Sequence, residues 1–358
     1  KRGTFKLVSF GESEIKQGII DGGEVKDEAA LSDAIKEAVL KVKGEKLRTK
    51  YVICSLPEEK AFLQVIQLPR MMDEELKKAI RFEAENYIPL PFEEVYLDSQ
   101  RVKPVFDHLD HTDVLLAALP KKTISPYVNA LKKAGLIPLA LEVESQAISR
   151  AIIKQELSPS PVLIIDLGAT RTGFIIFSGY SLRFTSSIPV SSQTFTESLA
   201  KNLNTSPDKA ETLKRKYGLK TSEIIHLKKK PDSINFEKEF SEDKKVFDAM
   251  IAPVIDLIEQ IKDRLNYYQS HTSHEHLSSR DKMSKGIVGK VILCGGGANL
   301  KELANVLSLE LKIPVEMGNP WANILPEPLK EIPELPYYES LKYTTAIGLA
   351  LRGFDQEI

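Results

Sequence analysis

Cysteines, long apolar runs and an excess of either charge are all scarce in this chain of 358 residues. Its two cysteines, Cys54 and Cys294, are too few for a disulfide framework or a CxxC metal site, and a reducing cytoplasm fits best. The longest apolar stretches, such as Val162–Ile165 and Val291–Leu293, are strand-sized, so we expect neither a transmembrane segment nor a secretory signal. The 49 Lys and Arg against 50 Asp and Glu give a net charge of -1, which disfavours a nucleic-acid partner.

What is present is the composition of an ordinary globular protein, 42% hydrophobic and 28% charged. At roughly 100–200 residues per domain, the length predicts two or more compact units. Both halves mix strands with helices, which favours two α/β units in one molecule. Between the halves, the Pro- and Ser-rich stretch Leu157–Pro161 is typical of a linker.

Apolar periodicity predicts the individual elements. The predicted helices are Asp27–Val39 with Asp27 as N-cap, Asp73–Tyr87, Ser125–Ala134, Ser145–Lys154, Thr194–Leu203, Pro207–Tyr217, Val246–Tyr268, Leu300–Leu311 and Leu341–Leu351. The predicted strands are Thr4–Ser13, Tyr51–Ser55, Phe62–Leu68, Val95–Val102, Asp113–Ala118, Leu139–Val143, Val162–Asp166, Gly173–Ser178, Ser181–Ile188, Val291–Cys294 and Pro314–Met317. The polar stretches Leu227–Ser241 and Ser270–Gly289 are expected to be irregular.

An acidic turn follows the buried strand Val162–Asp166. Asp166 ends the strand, Gly168 permits a close approach of the turn amides to a phosphate, and Thr170 and Thr172 offer hydroxyl donors. Asp166 could hold Mg²⁺ through water, because that ion keeps several waters and favours carboxylate and phosphate oxygens. The alternative interpretation is a plain β-hairpin turn.

A triple-glycine loop, Gly295, Gly296 and Gly297 followed by Ala298, lies between a predicted strand and a predicted helix. The glycines leave room for a bulky ligand against the backbone, and the free N–H groups of a helix beginning near Asn299 favour an anion. The alternative is a flexible connection or a helix entry that needs positive φ.

Glu211 and Lys214 lie three residues apart on a predicted helix, and Gly218 follows them. Side chains at this spacing are neighbours on the helix surface. From the spacing alone, an exposed ion pair is the favoured interpretation.

The order of these motifs is more specific than any one of them. An acidic strand-turn-strand, a helical insertion and a later strand-GGG-helix make up half of an actin-like nucleotide cleft. The chain resembles the PilM family of type IV pilus assembly proteins, which is related to the FtsA division proteins. The segments that carry the resemblance are Gly18–Leu31, Leu68–Asp98, Asp113–Ser145, Leu163–Thr172 and Ile292–Pro320.

The resemblance implies an α/β, actin-like two-lobed ATPase fold with a small α+β subdomain inserted in the first lobe. The first lobe is expected over 1–60 and 137–158 together with a C-terminal helix at about 339–353, and the inserted subdomain over 61–136. The second lobe is expected over 159–338, with a helical insertion beside the nucleotide at about 194–286.

The resemblance also assigns residues to an ATP site. Asp166, Gly168, Ala169 and Thr170 match the second phosphate loop, Gly295–Ala298 match the adenosine loop, and Glu211 and Lys214 match the pair that reaches ribose and adenine. No catalytic residue is assigned, because none of these motifs supplies a general base. We expect at most a slow ATPase that acts mainly as a scaffold.

The implied function is that of a cytoplasmic ATP-binding scaffold, peripheral at the inner membrane, for type IV pilus assembly. In the family, a cytoplasmic peptide of the inner-membrane protein PilN docks on the first lobe by the insertion, here near residues 61–136, although no motif identifies the groove. Other pilus components and self-association stay open. The alternatives are an FtsA-like division scaffold and a small-molecule kinase of the same superfamily.

Two features depart from the family pattern. The family's first phosphate loop is an acid-turn-lysine hairpin near the N-terminus, and nothing in Lys1–Glu14 matches it. We therefore expect the natural N-terminus to lie before Lys1, and this chain to bind ATP and Mg²⁺ weakly or not at all. Arg171 is the second departure, expected either to contact phosphate or to face solvent.

Three further patterns have ordinary explanations. The His-rich stretch His271–His276 favours a solvated loop over a metal site. The basic run Lys228–Lys230 is expected to be an exposed face. Cys294 has no basic neighbour in the sequence, so a small buried hydrophobe is favoured over a nucleophile.

Overall fold

The computed structural model describes residues 5–105, 110–219, 242–271, 286–325 and 333–354. Its strands are β1 (Ser9–Phe10), β2 (Ile20–Asp21), β3 (Glu24–Val25), β4 (Lys43–Gly44), β5 (Tyr51–Leu56), β6 (Phe62–Pro69), β7 (Val95–Arg101), β8 (His111–Pro120), β9 (Ile137–Val143), β10 (Ser158–Leu167), β11 (Thr172–Gly179), β12 (Ser181–Ile188), β13 (Lys290–Cys294) and β14 (Val315–Met317).

The helices are α1 (Glu28–Leu40), α2 (Asp73–Tyr87), α3 (Lys121–Lys133), α4 (Glu144–Ile152), α5 (Ser192–Asn202), α6 (Pro207–Tyr217), α7 (Glu242–His271), α8 (Leu303–Leu311), α9 (Tyr337–Ser340) and α10 (Thr344–Arg352). Short 3₁₀ turns cover Glu58–Lys60, Phe92–Glu94, Lys154–Glu156, Gly296–Asn299 and Leu341–Tyr343. Among these described residues, no helix is both long and apolar enough to cross a bilayer.

The second lobe is built on a five-stranded sheet in the order β12-β11-β10-β13-β14. The meander β10-β11-β12 is antiparallel, whereas β13 and β14 run parallel to β10. Helices α5 to α8 cover one face, where buried helix side chains such as Phe195 and Met250 share a core with Phe174 of β11. Helix α4 covers the other face, where Ile148 and Ile152 pack on Ile164.

The first lobe contains the parallel pair β5-β9, with α3 packed on one side and α10 in contact with β5 and α4. Helix α1 packs against α3 and begins as the sequence predicted, because the Asp27 carboxylate accepts the Ala29 and Ala30 amides at 2.9 Å each. Within this lobe, β6-β8-β7 form a separate antiparallel sheet, and α2 buries Leu76, Ile80 and Ala84 against it.

Two of the predictions, one of a linker and one of a long first strand, are wrong. The stretch Leu157–Pro161 is not a linker, because β10 begins at Ser158, which pairs with Gly179, and continues to Leu167. Of the expected strand Thr4–Ser13, the described residues 5–13 form strand only at the two residues of β1, which pair with β4. Pattern and composition mark these stretches as apolar or Pro-rich, but only a partner strand decides whether they become sheet.

The other predicted elements are present, with boundaries shifted by a few residues. The predicted irregular stretch Leu227–Ser241, with its basic run Lys228–Lys230, lies outside the described residues, as does most of Ser270–Gly289. His271 ends α7 and stacks on the Tyr267 ring at 4.3 Å, and the rest of the His-rich stretch is also outside the described residues.

Candidate functional site

The acidic turn and the glycine loop leave the sheet side by side. Strands β10 and β13 are parallel neighbours, with Asp166 in register with Cys294, so the loops that follow them emerge at the same edge. A Cβ on Gly295, which has φ +81°, would lie 2.4 Å from the Asp166 Oδ1. A Cβ on Gly297 would lie 2.6 Å from the Leu167 Cγ. The two loops are therefore in direct contact, and only glycine fits at these points.

The acidic turn is anchored to the start of α5. Within it, the Gly168 amide donates to the Arg171 carbonyl at 3.0 Å. The Ser192 and Gln193 amides of α5 donate to the Gly168 and Ala169 carbonyls at 3.1 and 3.0 Å. Ala169 and Thr170 stand exposed at the tip. Two first-turn amides of α5 are thus used to hold the turn.

Thr172 does not take the role the sequence predicted. Its side chain is fully buried, and its hydroxyl donates to the Val190 carbonyl at 2.6 Å. The hydroxyl therefore fastens β11 to the segment before α5 and does not point toward a ligand.

The glycine loop also differs from the prediction. A 3₁₀ turn over Gly296–Asn299 follows β13, and α8 begins only at Leu303, after Glu302 at φ +66°. The predicted helix start at Asn299, with its free amides, is therefore wrong. The Gly295 amide donates to the Leu341 carbonyl at 3.1 Å.

Within the same loop, Ala298 is buried and Gly296 is exposed. Gly296 is therefore the glycine at which the loop surface is open.

Glu211 and Lys214 do form an ion pair, 2.7 Å apart, but not an exposed one. Lys214 is 4% exposed, and its ammonium donates at 2.8 Å to the Ser192 carbonyl, the Ser192 hydroxyl and the Thr196 hydroxyl. Burial lowers the pKa of Lys214, although the Glu211 carboxylate opposes that shift. Lys214 thus ties α6 to the start of α5, which in turn holds the acidic turn.

Glu211 itself is one-third exposed, at 33% of its side chain. Burial opposes ionisation, but hydrogen bonds from Lys214, Thr196 and Arg215 outweigh it and lower the Glu211 pKa to about 2. This carboxylate is ionised at any physiological pH.

Arg171 faces the other lobe and not open solvent, and its contact with a phosphate stays a prediction. Its guanidinium contacts the carboxylates of Glu59, in the 3₁₀ turn after β5, and Glu144, the first residue of α4. Sequence reasoning missed both acids. Each follows a first-lobe parallel strand, β5 or β9, and that position was the available signal.

The crevice is rich in acids whose pKa values are raised. Burial is the main cause for Glu58, Glu144 and Asp166. The Glu144 pKa rises to about 7, because burial and the charges of Asp166 and Glu59 outweigh the attraction of Arg171. None of the sequence motifs supplies a general base, yet the Glu144 pKa lies in the range that such a group requires.

Cys294 is fully buried beside Asp166, 3.9 Å from its Oδ1, and burial raises the pKa of the thiol. The expectation of a small buried hydrophobe is confirmed. Across the described ranges, no three His, Cys, Asp or Glu side chains are placed to hold a metal ion. The water-mediated Mg²⁺ contact of Asp166 stays a prediction.

Comparison with known proteins places this geometry in a family. The model of the type IV pilus assembly protein PilM matches residues 1–227. This chain belongs to the PilM family. The model of the cell division protein FtsA matches residues 163–348, which include both loops of the crevice.

Solved structures confirm the fold class, an actin-like two-lobed α/β fold. The PilM-PilN type IV pilus biogenesis complex matches with a TM-score of 0.73 at 24% identity, over 98% of each chain. MreB5 of Spiroplasma citri bound to ADP matches with a TM-score of 0.51 at 15% identity, over 93% of this chain and 77% of the other.

Among curated proteins, the cell division protein FtsA of Escherichia coli K12 is 23% identical over 64% of this chain and 52% of its own length. FtsA of Buchnera aphidicola is 24% identical over 49% of this chain and 41% of its own length. The chain thus spans about half the length of these curated relatives.

Proposed function

We propose that this PilM-family protein is a scaffold of type IV pilus assembly that binds a purine nucleotide in the crevice and couples to a PilN-like inner-membrane protein. The observation that carries the nucleotide proposal is the contact between the acidic turn and the glycine loop at the carboxyl edge of β10 and β13. The MreB5 neighbours, described as bound to ADP and to AMPPNP, support it.

The site residues then divide into two groups. Ala169 and Thr170 at the turn tip, and Gly296 in the loop, are exposed and would face the ligand. Lys214 acts mainly through Ser192 on the turn, because its ammonium is already surrounded by oxygen acceptors. Glu211 would be the accessible member of that pair, on the ribose side.

The charge balance of the crevice requires a cation with the nucleotide. Arg171 contacts Glu59 and Glu144, and the charge of Asp166 helps to raise the Glu144 pKa. A triphosphate brings further negative charge, so Mg²⁺ held with Asp166 would offset the repulsion. Because Lys1–Glu14 contain no second acid-turn loop, we expect a weak affinity, in the high micromolar range or above.

Titration with a fluorescent ATP analogue, with Mg²⁺ and with EDTA, tests the nucleotide site. Gly296→Leu should weaken binding at least tenfold, because the space at Gly296 is open except for the Lys342 Cβ at 3.6 Å. The matched control is Gly289→Leu at the other end of β13, where the nearest atom is the Ser160 hydroxyl at 3.8 Å. Equal affinity in both variants and the parent chain would contradict the proposed site.

The partner peptide is proposed to bind the inserted subdomain along the edge of β7. In the described residues, β7 pairs with β8 on one side and has no strand on the other. A cavity of about 280 Å³ lies between this edge and α2, with Ile80, Phe92 and Leu97 as apolar lining and Lys77 and Arg81 as cations. An open strand edge beside a helix is a common peptide site, because backbone bonds supply affinity and the cavity supplies specificity.

The match to the PilM-PilN complex supports the choice of a PilN-like peptide as the occupant. We therefore propose that the protein lies at the inner membrane through this partner. A role in cell division has less support, since the FtsA model matches only residues 163–348 and the matched region spans about half the length of FtsA.

Fluorescence anisotropy with a synthetic cytoplasmic peptide of a PilN-like protein tests the groove. Arg81→Glu should weaken binding about tenfold or more, whereas Lys78→Glu, also exposed on α2 but outside the cavity lining, should not. No binding by the parent chain at high micromolar peptide would refute the partner. Equal effects of the two variants would refute the groove alone.

A further inference from the structure

Arg171 joins the two lobes across the crevice. Its own turn, residues 168–171, belongs to the second lobe, since it connects β10 to β11. One guanidinium nitrogen contacts a Glu59 oxygen and the other contacts a Glu144 oxygen. The two acids belong to segments that leave the first-lobe strands β5 and β9.

Arg171, Glu59 and Glu144 form a triad that is largely shielded from water, and this shielding makes its contacts matter for stability. The side chains of Arg171, Glu59 and Glu144 are 25%, 25% and 26% exposed. Exposed ion pairs contribute little because water screens them, whereas removal of one member of a shielded pair leaves a costly unpaired charge. A planar guanidinium can also hold two carboxylates at once in a fixed geometry.

A second contact between the lobes lies next to the triad. The turn Glu58–Lys60 packs on β12 of the second lobe, and the Ser145 amide donates to a Glu58 oxygen at 3.3 Å. Two successive acids of this turn thus have different partners, since Glu58 accepts from a neutral amide and Glu59 contacts the Arg171 cation of the second lobe. Glu59 is the member of this pair whose attachment depends on charge.

We propose that Arg171 is a clamp between the lobes, which holds the turn 168–171 against Glu59 and Glu144 and must release them for the crevice to open. The clamp belongs to the protein without any ligand, so it is independent of the proposed nucleotide. Its loss should expose the turn and the Glu58–Lys60 segment together, since the same side chain holds both.

Hydrogen–deuterium exchange of the full chain without nucleotide tests the clamp. Arg171→Met keeps the apolar stem and removes the charge, and it should speed amide exchange about tenfold in peptides covering 56–60 and 166–172. Arg171→Lys should restore part of the protection, because one carboxylate can still be paired. The matched control is Arg101→Met, an exposed arginine paired with Asp73 in the inserted subdomain.

A triple variant, Arg171→Met with Glu59→Gln and Glu144→Gln, separates a clamp from simple charge compensation. It also neutralises the two carboxylates that Arg171 contacts and so should fold even where the single variant does not. A clamp predicts that exchange stays fast in both peptides of the triple variant. Parent-like exchange in the triple variant, or in Arg171→Met itself, would overturn the proposal.

Discussion

At the scale of the residue, the environment of the Lys214 side chain differs from the one that its sequence spacing predicts. The three-residue spacing on a helix predicts an exposed ion pair with Glu211, which would stabilise the helix by a few tenths of a kcal/mol. The structure instead buries the ammonium among the oxygens of Ser192, Thr196 and Glu211. Its main contribution is therefore to hold α6, α5 and the acidic turn together.

Lys214→Met should lower the free energy of unfolding by about 2 kcal/mol, since it removes charge-assisted hydrogen bonds from a buried cluster. Urea unfolding measures the loss. Arg215→Met is the control, because Arg215 bonds the same Glu211 but is 79% exposed, and it should cost under about 0.5 kcal/mol. Equal losses in both variants would contradict a special contribution of the buried Lys214 ammonium to the free energy of unfolding.

Glu144 should make stability depend on pH. Its pKa is raised from 4.5 to about 7, so between these values the folded protein holds a proton that the unfolded chain has lost. The free energy of unfolding therefore falls as pH rises through this window, by up to about 3 kcal/mol, and the effect is complete above it. Glu58 and Asp166, whose pKa values are also raised, act in the same direction.

The check is urea unfolding at about pH 5 and about pH 7.5 for the parent and for Glu144→Gln. The stability of the variant relative to the parent should be higher at the upper pH, because glutamine cannot ionise. Glu37→Gln, on the solvent-exposed side of α1, should leave the parent's pH dependence unchanged. A relative stability that does not change with pH would contradict the raised pKa.

At the scale of the element, the strand-turn units of the second lobe were predicted well because they are encoded locally. Continuous apolar runs mark β10 and β13, and the glycines mark where each ends. Helix α8 was placed too early, since Leu300 has helix-compatible neighbours and nothing in the sequence shows that Glu302 takes a positive φ. Such local conformations depend on contacts with other elements.

Gly295→Ala should destabilise the protein by about 2 kcal/mol or more. The new Cβ would require a left-handed residue at φ +81° and would lie 2.4 Å from the Asp166 Oδ1. Gly296→Ala, the adjacent position, meets only the Lys342 Cβ at 3.6 Å and should change stability by less than about 0.5 kcal/mol. Thermal unfolding of the two variants distinguishes a packed loop from a flexible one, for which both would behave alike.

At the scale of the whole molecule, helix α4 links the parts. It packs on the second-lobe sheet through Ile148 and Ile152, follows the first-lobe strand β9, and crosses α10. At the crossing, a Cβ on Gly348 would lie 1.8 Å from the Ala147 carbonyl oxygen, so the two backbones are in contact. Arg150 adds a hydrogen bond to the Gly348 carbonyl at 3.2 Å.

Gly348→Ala should cost about 3 kcal/mol, because α4 and α10 must separate to admit the methyl group. Ala346→Val, an exposed position on the same helix, should cost about 0.5 kcal/mol at most. Chemical unfolding measures both. A tolerated Gly348→Ala would show that α10 does not need its close approach to α4.

The sequence by itself determined the alternation of strands and helices, the two glycine-bearing turns and the family resemblance, because periodicity, turn residues and motif order act over short stretches of chain. Tertiary structure alone decided that Ser158–Pro161 becomes strand, that Thr172 and Lys214 turn inward, and that Arg171 reaches Glu59 and Glu144. Each of these depends on which distant segment lies opposite, and burial and charge partners are properties of that arrangement rather than of spacing.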